Sequence, residues 1–198
     1  MTGPPLILAS RSPRRVDLLS EWGIPATSHP ADIDEEGVGQ NEHVEWARSL
    51  AVRKAAVVRE RFIADASSSN AQWVLGADTI VSCGRRIYGK PDGAEDAIET
   101  LSELSGKDLS VVTGVALLQI HGMQRWVESE TSCVVMRPFG LDEIVAYVAT
   151  GEPFGKAGSF AVQGEGRALI EEIRGSLSNV IGLPRRLVES LLAQAGIL

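Results

Sequence analysis

The start of the fold is decided by residues 6–15, which read LILASRSPRR. The apolar run at residues 6–9 predicts a buried strand. Ser12 is typical of a helix N-cap, Pro13 suits the first helical position and Gly23 predicts the end of that helix. We therefore expect a strand–turn–helix unit whose helix carries Val16, Leu19 and Trp22 on one face.

Helical and β patterns alternate along the rest of the chain. Apolar residues three or four apart predict helices at 42–62, 93–104, 141–149 and after Pro184. Apolar and β-branched runs predict strands at 73–77, 111–120, 126–136 and 168–173. Interleaved helices and strands are typical of an α/β fold with a mixed, twisted sheet and flanking helices.

Length and composition limit the class of protein. The chain has 198 residues, a net charge of −7 and two cysteines, and its mean hydropathy is +0.04. These values predict one globular domain and exclude a disordered, fibrous or membrane-spanning chain. The paucity of cysteines indicates a reducing compartment, which we expect to be the cytoplasm. The acidic balance argues against a nucleic-acid surface.

Arg14 and Arg15 occupy the opening turn of the first helix, where the helix dipole favours negative charge. An anion would offset these cations. The free N–H groups of a helix start, two guanidinium groups and the Ser10 hydroxyl together suit phosphate oxygens. The alternative is that both arginines reach into solvent.

Two further charged residues stand in apolar surroundings. Lys54 falls on the apolar stripe of the long helix, so it either extends to solvent or meets an anion. Asp78 interrupts an apolar strand pattern, either as a loop anchor or as a metal ligand or general base. Asp34 and Glu35, in an acidic loop, are possible co-ligands, and such oxygen donors suit Mg²⁺ or Mn²⁺.

The remaining candidates are in or beside glycine-containing segments. Lys90 precedes Pro91, which favours an extended backbone at the lysine. Lys156 lies among glycines that allow close approach to a ligand, and Gln163 carries an amide able to read a base edge. No phosphate-binding P-loop or dinucleotide fingerprint is present.

A series of short motifs runs in order along nearly the whole chain. They are Ala9-Ser10-x-Ser12-Pro13-Arg14-Arg15, Asp34-Glu35, Lys54-Ala55, Gly76-Ala77-Asp78-Thr79, Gly89-Lys90-Pro91, Lys156-Ala157-Gly158, Val162-Gln163-Gly164 and a closing Gly175-x-x-x-Asn179-Val180-Ile181-Gly182-Leu183-Pro184. Together they resemble the Maf family of nucleoside triphosphate pyrophosphatases. The Gln163-Gly164 ending is similar to the branch that prefers dTTP and UTP.

The resemblance implies a single elongated α/β domain over residues 1–198, with two lobes around a central substrate cleft. It also implies a divalent cation, a homodimer, and hydrolysis of a nucleoside triphosphate to monophosphate and pyrophosphate. By position, it implies that Asp78, Glu35, Lys54 and Lys90 are catalytic, with Glu35 and Asp78 also serving the metal. The substrate-binding set it implies is Ser10, Arg14, Arg15, Thr79, Lys156 and Gln163.

Two positions depart from the family pattern, and two other functions compete. Phe160 and Leu177 stand where the family often has tyrosine and an aromatic residue, so contacts that select the base are in question. A non-catalytic nucleotide-binding regulator of cell division would use the same cations, but it gains nothing from carboxylates beside phosphate. A DNA-binding protein is disfavoured by the net charge and the absence of a basic helix face.

Overall fold

A computed structural model describes residues 6–33, 43–64 and 72–198 and has the predicted α/β class. Its strands are β1 (Leu6–Ala9), β2 (Ala26–Ser28), β3 (Trp73–Cys83), β4 (Arg86–Tyr88), β5 (Asp108–Gln119), β6 (Arg125–Met136) and β7 (Ile170–Arg174). The helices are α1 (Pro13–Glu21), α2 (His43–Ala64), α3 (Ala94–Leu104), α4 (Leu141–Ala149), α5 (Leu177–Ile181) and α6 (Arg185–Gln194). Within the described ranges, no helix is both long enough and apolar enough to cross a membrane.

The sheet is mixed, as predicted. Its seven strands follow the order β2-β1-β3-β5-β6-β7, with β4 paired to β3. β1 runs parallel to β2 and β3, whereas β4 is antiparallel to β3 and β7 is antiparallel to β6. The parallel pairings of β1 and the antiparallel pairings of β4 and β7 together make the sheet mixed.

The strand–turn–helix unit forms at the predicted residues, and its buried face agrees in part with the predicted one, because Leu19 is buried and Trp22 half-buried. α1 begins after Ser12, and Gly23 follows it with φ of +71°. The buried residues of α1 are Arg15, Leu18 and Leu19, whereas Val16, predicted to face inward, is exposed. An arginine is buried here because backbone carbonyls satisfy its guanidinium group, which apolar periodicity cannot reveal.

The chain divides into two compact units. The first comprises residues 1–78, 113–130 and 182–198 and the second residues 79–112 and 131–181. In the first, a core cluster joins apolar residues of β1, α2, β3 and β5, among them Ile7, Val58 and Val74. In the second, a cluster joins α3, α4 and the strands, among them Leu101, Met136 and Ile144. The prediction of a single two-lobed domain stays a prediction.

Several element boundaries differ from those predicted. β3 continues through Asp78 to Cys83, although the pattern predicted its end at Ala77. Among the described residues, the short strands β2 and β4 and the short helix α5 were not predicted, nor were the 3₁₀ turns at Ala157–Ser159 and Gly164–Leu169. Elements this short offer too few positions for a periodic pattern to emerge. The predicted loop at 66–71, and the loop at 32–41 beyond Ile33, lie outside the described residues.

The long helix α2 packs very closely on the sheet within the first unit. A methyl group added at Gly76 on β3 would overlap the backbone oxygen of Ala51, and one added at Gly114 on β5 would overlap the backbone of Ala47. Only glycine opposite alanine permits this spacing between a helix and a strand. This contact between α2 and the two strands fixes the height of α2 above the sheet.

Gly76→Ala should therefore destabilise the protein by about 1–3 kcal/mol, because the added methyl group forces α2 away from β3. Urea unfolding at neutral pH measures the change. Gly89→Ala is the control, since an added Cβ there meets no atom within 4 Å, and we expect its unfolding free energy to stay within about 0.5 kcal/mol of the parent. Equal stability of the two variants would contradict the close packing.

Candidate active site

A buried ion pair, Lys54 with Asp78, lies within the first unit. The Lys54 Nζ atom lies 2.5 Å from the Asp78 Oδ1 atom, and the two side chains are only 12% and 10% exposed. Removing either charge would leave the other buried without its partner, which is energetically costly. The two residues that the sequence marked as misplaced charges therefore compensate each other.

The placement of this pair bears on the alternatives that the sequence left open, while the role of Asp78 as metal ligand or general base stays a prediction. Lys54 meets an anion rather than extending to solvent, and Asp78 is a strand residue rather than a loop anchor. Pairing between β1 and β3 ends with Ala9 opposite Gly76, so Asp78 lies two residues beyond the end of β1. Ligands of α/β sheets commonly bind at this carboxyl end of the strands.

The turn after β1 lies beside the same part of β3. The Ser10 hydroxyl accepts hydrogen bonds from the Ser12 N–H at 3.1 Å and from Arg15 Nη1 at 3.3 Å. Arg15 Nη1 also donates to the Ala77 carbonyl at 2.8 Å, and its Nε donates to the Gly182 carbonyl at 2.8 Å. Ser12 occupies the N-cap position without a capping side-chain hydrogen bond. Arg15 therefore links this turn to the residue before Asp78 through the Ala77 carbonyl, and the Ser10 hydroxyl is linked to the same group through Arg15.

The other predicted residues of this part of the site are placed less closely. Arg14 is half-buried in the first turn of α1. Thr79 follows Asp78 on β3, and strand alternation turns its side chain to the opposite face of the sheet. Asp34 and Glu35, the predicted metal co-ligands, lie outside the described residues. Their roles stay predictions.

The second unit brings the segments of Lys90 and Lys156 together. The Gly158 N–H donates to the Gly89 carbonyl at 2.9 Å, which links the backbones on which the two lysines sit. Lys90 is exposed and Lys156 is half-buried, and the Lys156 ammonium donates to the Glu152 carbonyl. Two lysines held near each other suit an anionic ligand.

Gln163 is exposed at the start of a 3₁₀ turn over Gly164–Leu169. Two residues that the sequence analysis did not single out support this turn and the segment before it. Glu152 Oε2 accepts from the Gly166 N–H at 2.7 Å, and the Tyr147 hydroxyl accepts from the Ala161 N–H at 3.0 Å. A lone glutamate and a helical tyrosine carry no sequence signal for such a role.

Ser159 combines two unfavourable features in the same loop. It has φ of +58°, which side chains other than glycine rarely adopt, and it follows Gly158 with φ of +73°. The Ser159 hydroxyl is buried and finds no hydrogen-bond partner within the described part of the chain. Strain of this kind often marks functional sites.

Tyr88 fixes the strand that leads to Gly89 and Lys90. Its hydroxyl donates to Glu103 Oε2 at 3.1 Å, and Arg86 Nη1 donates to Glu103 Oε1 at 2.6 Å. Burial of the ring, followed by the hydrogen bond to the Glu103 carboxylate, raises the pKa of Tyr88. The phenol therefore remains a neutral donor, and β4 is anchored to α3.

The closing motif is also held by a buried polar side chain. Asn179 Nδ2 donates to the Val111 carbonyl at 3.0 Å and to the Ser132 hydroxyl at 2.9 Å. That hydroxyl also accepts from the Ser176 N–H at 3.0 Å. The motif residue Asn179 thus ties α5 to β5 and β6 within the second unit.

The described residues offer a limited donor set for a metal ion. In the described ranges, no three histidine, cysteine or acidic side chains are grouped so as to hold one. Asp78 supplies one carboxylate, and one of its oxygens contacts Lys54. Mg²⁺ is commonly bound by one or two carboxylates together with substrate phosphates and waters. The donor set therefore fits a cation that arrives with a polyphosphate.

Lys54→Met should destabilise the protein by about 3 kcal/mol, because it leaves the Asp78 carboxylate buried without its partner. The double variant Lys54→Met/Asp78→Asn should recover about 1–2 kcal/mol of that loss. Urea unfolding of the two single variants and the double variant measures the coupling. Strictly additive effects would show that the two charges do not interact.

Ser159→Gly should raise the free energy of unfolding by about 1 kcal/mol, since glycine removes both the strained φ and the unpaired hydroxyl. The reverse change at the preceding residue, Gly158→Ser, is the matched control. A Cβ there would lie 2.9 Å from Val81 Cγ1, so we expect a loss of stability. Thermal unfolding compares the pair, and a destabilised Ser159→Gly variant would contradict the strain.

Comparison with known proteins agrees with the motifs. The family model described as Maf-like protein matches residues 5–195. The chain is 44% identical over 192 residues to a dTTP/UTP pyrophosphatase of Thermomicrobium roseum, covering 96% of this chain and 84% of that protein. It is 42% identical to proteins of the same name from Moorella thermoacetica (97% and 95% covered) and Gloeobacter violaceus (96% and 95%). The chain therefore belongs to the Maf family.

Proposed function

We propose that the protein hydrolyses nucleoside triphosphates at the α-phosphate, with dTTP and UTP as substrates, and releases nucleoside monophosphate and pyrophosphate. The observation that carries the proposal is the buried Lys54–Asp78 pair beside the Ser10–Arg15 turn. The pair sets a carboxylate and an ammonium group where an α/β sheet usually binds its ligand. The names of the relatives support the choice of substrate.

The substrate explains why an acidic protein needs this arrangement of cations. A nucleoside triphosphate carries about four negative charges, and they repel an attacking oxygen. Positive groups placed beforehand where charge develops lower that barrier most effectively. We assign the triphosphate to Arg14, Lys54, Lys90 and Lys156, with Ser10 and Thr79 as hydroxyl ligands and Gln163 as the ligand of the base. Arg15, which the resemblance also implies as a substrate ligand, instead directs its donors to the Ser10 hydroxyl and to the Ala77 and Gly182 carbonyls.

Asp78 is the residue that we assign to the attacking water. Its carboxylate orients the water and accepts its proton as the water oxygen forms a bond to the α-phosphorus. The bond from that phosphorus to the bridging oxygen then breaks, and the electron pair leaves with pyrophosphate. Lys54 holds the Oδ1 atom of Asp78. Because the carboxylate is planar and rigid, this contact also fixes the direction of the Oδ2 atom.

A divalent cation fits this proposal through Asp78, with Glu35 as the second carboxylate. Such a cation, Mg²⁺ or Mn²⁺, would neutralise phosphate charge and lower the pKa of water. We also propose, from the resemblance, that the protein is a homodimer in the cytoplasm. Light scattering of the purified protein measures its mass in solution and so tests the dimer.

Asp78→Asn should lower kcat by about 10²–10⁴-fold, the range for loss of a general base. The assay supplies dTTP, UTP and Mg²⁺ and measures pyrophosphate and inorganic phosphate separately. Asp17→Asn is the control, since this aspartate of α1 is exposed whereas Asp78 is buried, and it should retain parental kcat.

Three outcomes would contradict the proposal. Parental turnover by Asp78→Asn would remove the assigned base. Release of inorganic phosphate alone by the parent protein would indicate a different hydrolase. Binding of nucleotide by the parent protein without turnover would favour the alternative function, a non-catalytic nucleotide-binding regulator.

A further inference from the structure

The guanidinium group of Arg15 donates hydrogen bonds to other groups of the protein. Three acceptors contact the guanidinium group: the nearby Ser10 hydroxyl and two carbonyls that are remote in sequence, those of Ala77 and Gly182. The residue is only 8% exposed. Its neighbour Arg14 is half-buried and stands in the same helical turn, so the two arginines occupy different environments.

The Ala77 carbonyl is the informative acceptor. β1 pairs with β3 only as far as Gly76, so Ala77 lies one residue beyond the last pair of that ladder. There Arg15 Nη1 donates to its carbonyl at 2.8 Å. The carbonyl of residue 77 and the amide nitrogen of residue 78 belong to one rigid peptide plane. A donor that fixes this carbonyl therefore fixes the plane from which the Asp78 side chain leaves the backbone.

We propose that Arg15 is a positioning residue for Asp78: it fixes the backbone of the aspartate while Lys54 fixes its carboxylate. The inference rests on the proposed function, because it assigns Arg15 to the orientation of the residue that receives the proton. It also separates Arg15 from Arg14, leaving the latter as the phosphate ligand of the arginine pair.

Arginine suits this role for a geometric reason. Its planar guanidinium group presents five N–H donors in a fixed fork, so one group can reach carbonyls in two directions. Nε and Nη1 of Arg15 use this geometry toward Gly182 and Ala77. A lysine keeps the charge but carries its donors on one atom, so it cannot hold both carbonyls in the same directions.

Arg15→Lys should therefore lower kcat for dTTP by about 10- to 100-fold, the effect of a misplacement on the order of an ångström. KM should stay within about threefold, because the charge remains and the phosphate ligands are unchanged. Arg14→Lys is the matched comparison and should mainly raise KM. An Arg15→Lys variant with raised KM and parental kcat, or with neither constant changed, would overturn the inference.

A double-mutant cycle distinguishes positioning from a general structural role. In the Asp78→Asn background the second substitution, Arg15→Lys, should cost less than about twofold in kcat, since the residue through which Arg15 acts is already lost. A further 10-fold loss in that background would show that Arg15 acts independently of Asp78. Parental activity of Asp78→Asn alone would instead contradict the proposed function, whatever Arg15 does.

Arg59 provides a control for the loss of carbonyl contacts as such. Its Nε donates to the Ile120 carbonyl at 3.2 Å and its Nη2 to the Gly122 carbonyl at 2.9 Å, both within the first unit. Arg59→Lys should lower the unfolding temperature and leave kcat unchanged. If Arg15→Lys does not fold, Arg15→Gln replaces it and is judged by the kcat ratios alone, because glutamine does not keep the charge. A fall in kcat for Arg59→Lys equal to that of the Arg15 variant would overturn the positioning role.

Discussion

The buried contact between Lys54 and Asp78 is the constraint on which the site depends. An aspartate within a strand and a lysine on the apolar face of a helix are each unfavourable alone. Together they form an ion pair at 2.5 Å. Replacing either residue alone would leave the other charge buried without its partner, which costs free energy. A buried ion pair contributes little net stability compared with apolar residues of the same volume. Its presence therefore agrees with the chemical role that we propose for Asp78.

The two units carry their candidate residues on different kinds of element. In the first, Lys54 and Asp78 stand on a long helix and a long strand, where packing holds the backbone. In the second, Lys156 and Gln163 stand on a loop whose shape depends on left-handed backbone at Gly155, Gly158 and Gly164. Glu152 supports that loop through the Gly166 N–H and through its own carbonyl. Rigid elements suit groups that meet the reacting atoms, and supported loops suit recognition of a variable ligand part.

The sequence was sufficient for the α/β class and for singling out Lys54 and Asp78 as charged residues in apolar surroundings. Helical periodicity put Lys54 among buried residues, and the apolar run around Asp78 indicated a buried carboxylate. That the two residues contact each other could not be deduced, since they are 24 positions apart and belong to elements whose packing is a tertiary property. The burial of Arg15 was equally hidden, because its carbonyl partners at Ala77 and Gly182 leave no mark in side-chain pattern.

Short elements and supporting residues escaped prediction for a related reason. β2 and β4 span three residues each, which is less than two periods of side-chain alternation. Glu152 acts through backbone groups, and any acidic residue at that place would look the same in the sequence. Ser159 was passed over because a serine beside glycine is ordinary in a loop, and only the backbone angle of +58° reveals the strain.

The glycine–alanine seam between α2 and the sheet has a consequence for the ion pair. Gly76 faces Ala55, the immediate neighbour of Lys54, and lies two residues before Asp78. The absence of a side chain at position 76 thus allows α2 to lie close to β3, and this distance sets how far the Lys54 ammonium group must extend to reach Asp78. Larger side chains at the contact between α2 and β3 therefore cannot improve the packing of the core, because each added carbon would increase the distance between the Lys54 ammonium group and the Asp78 carboxylate. A search for thermostable forms of this enzyme family member should begin on the opposite side of the sheet.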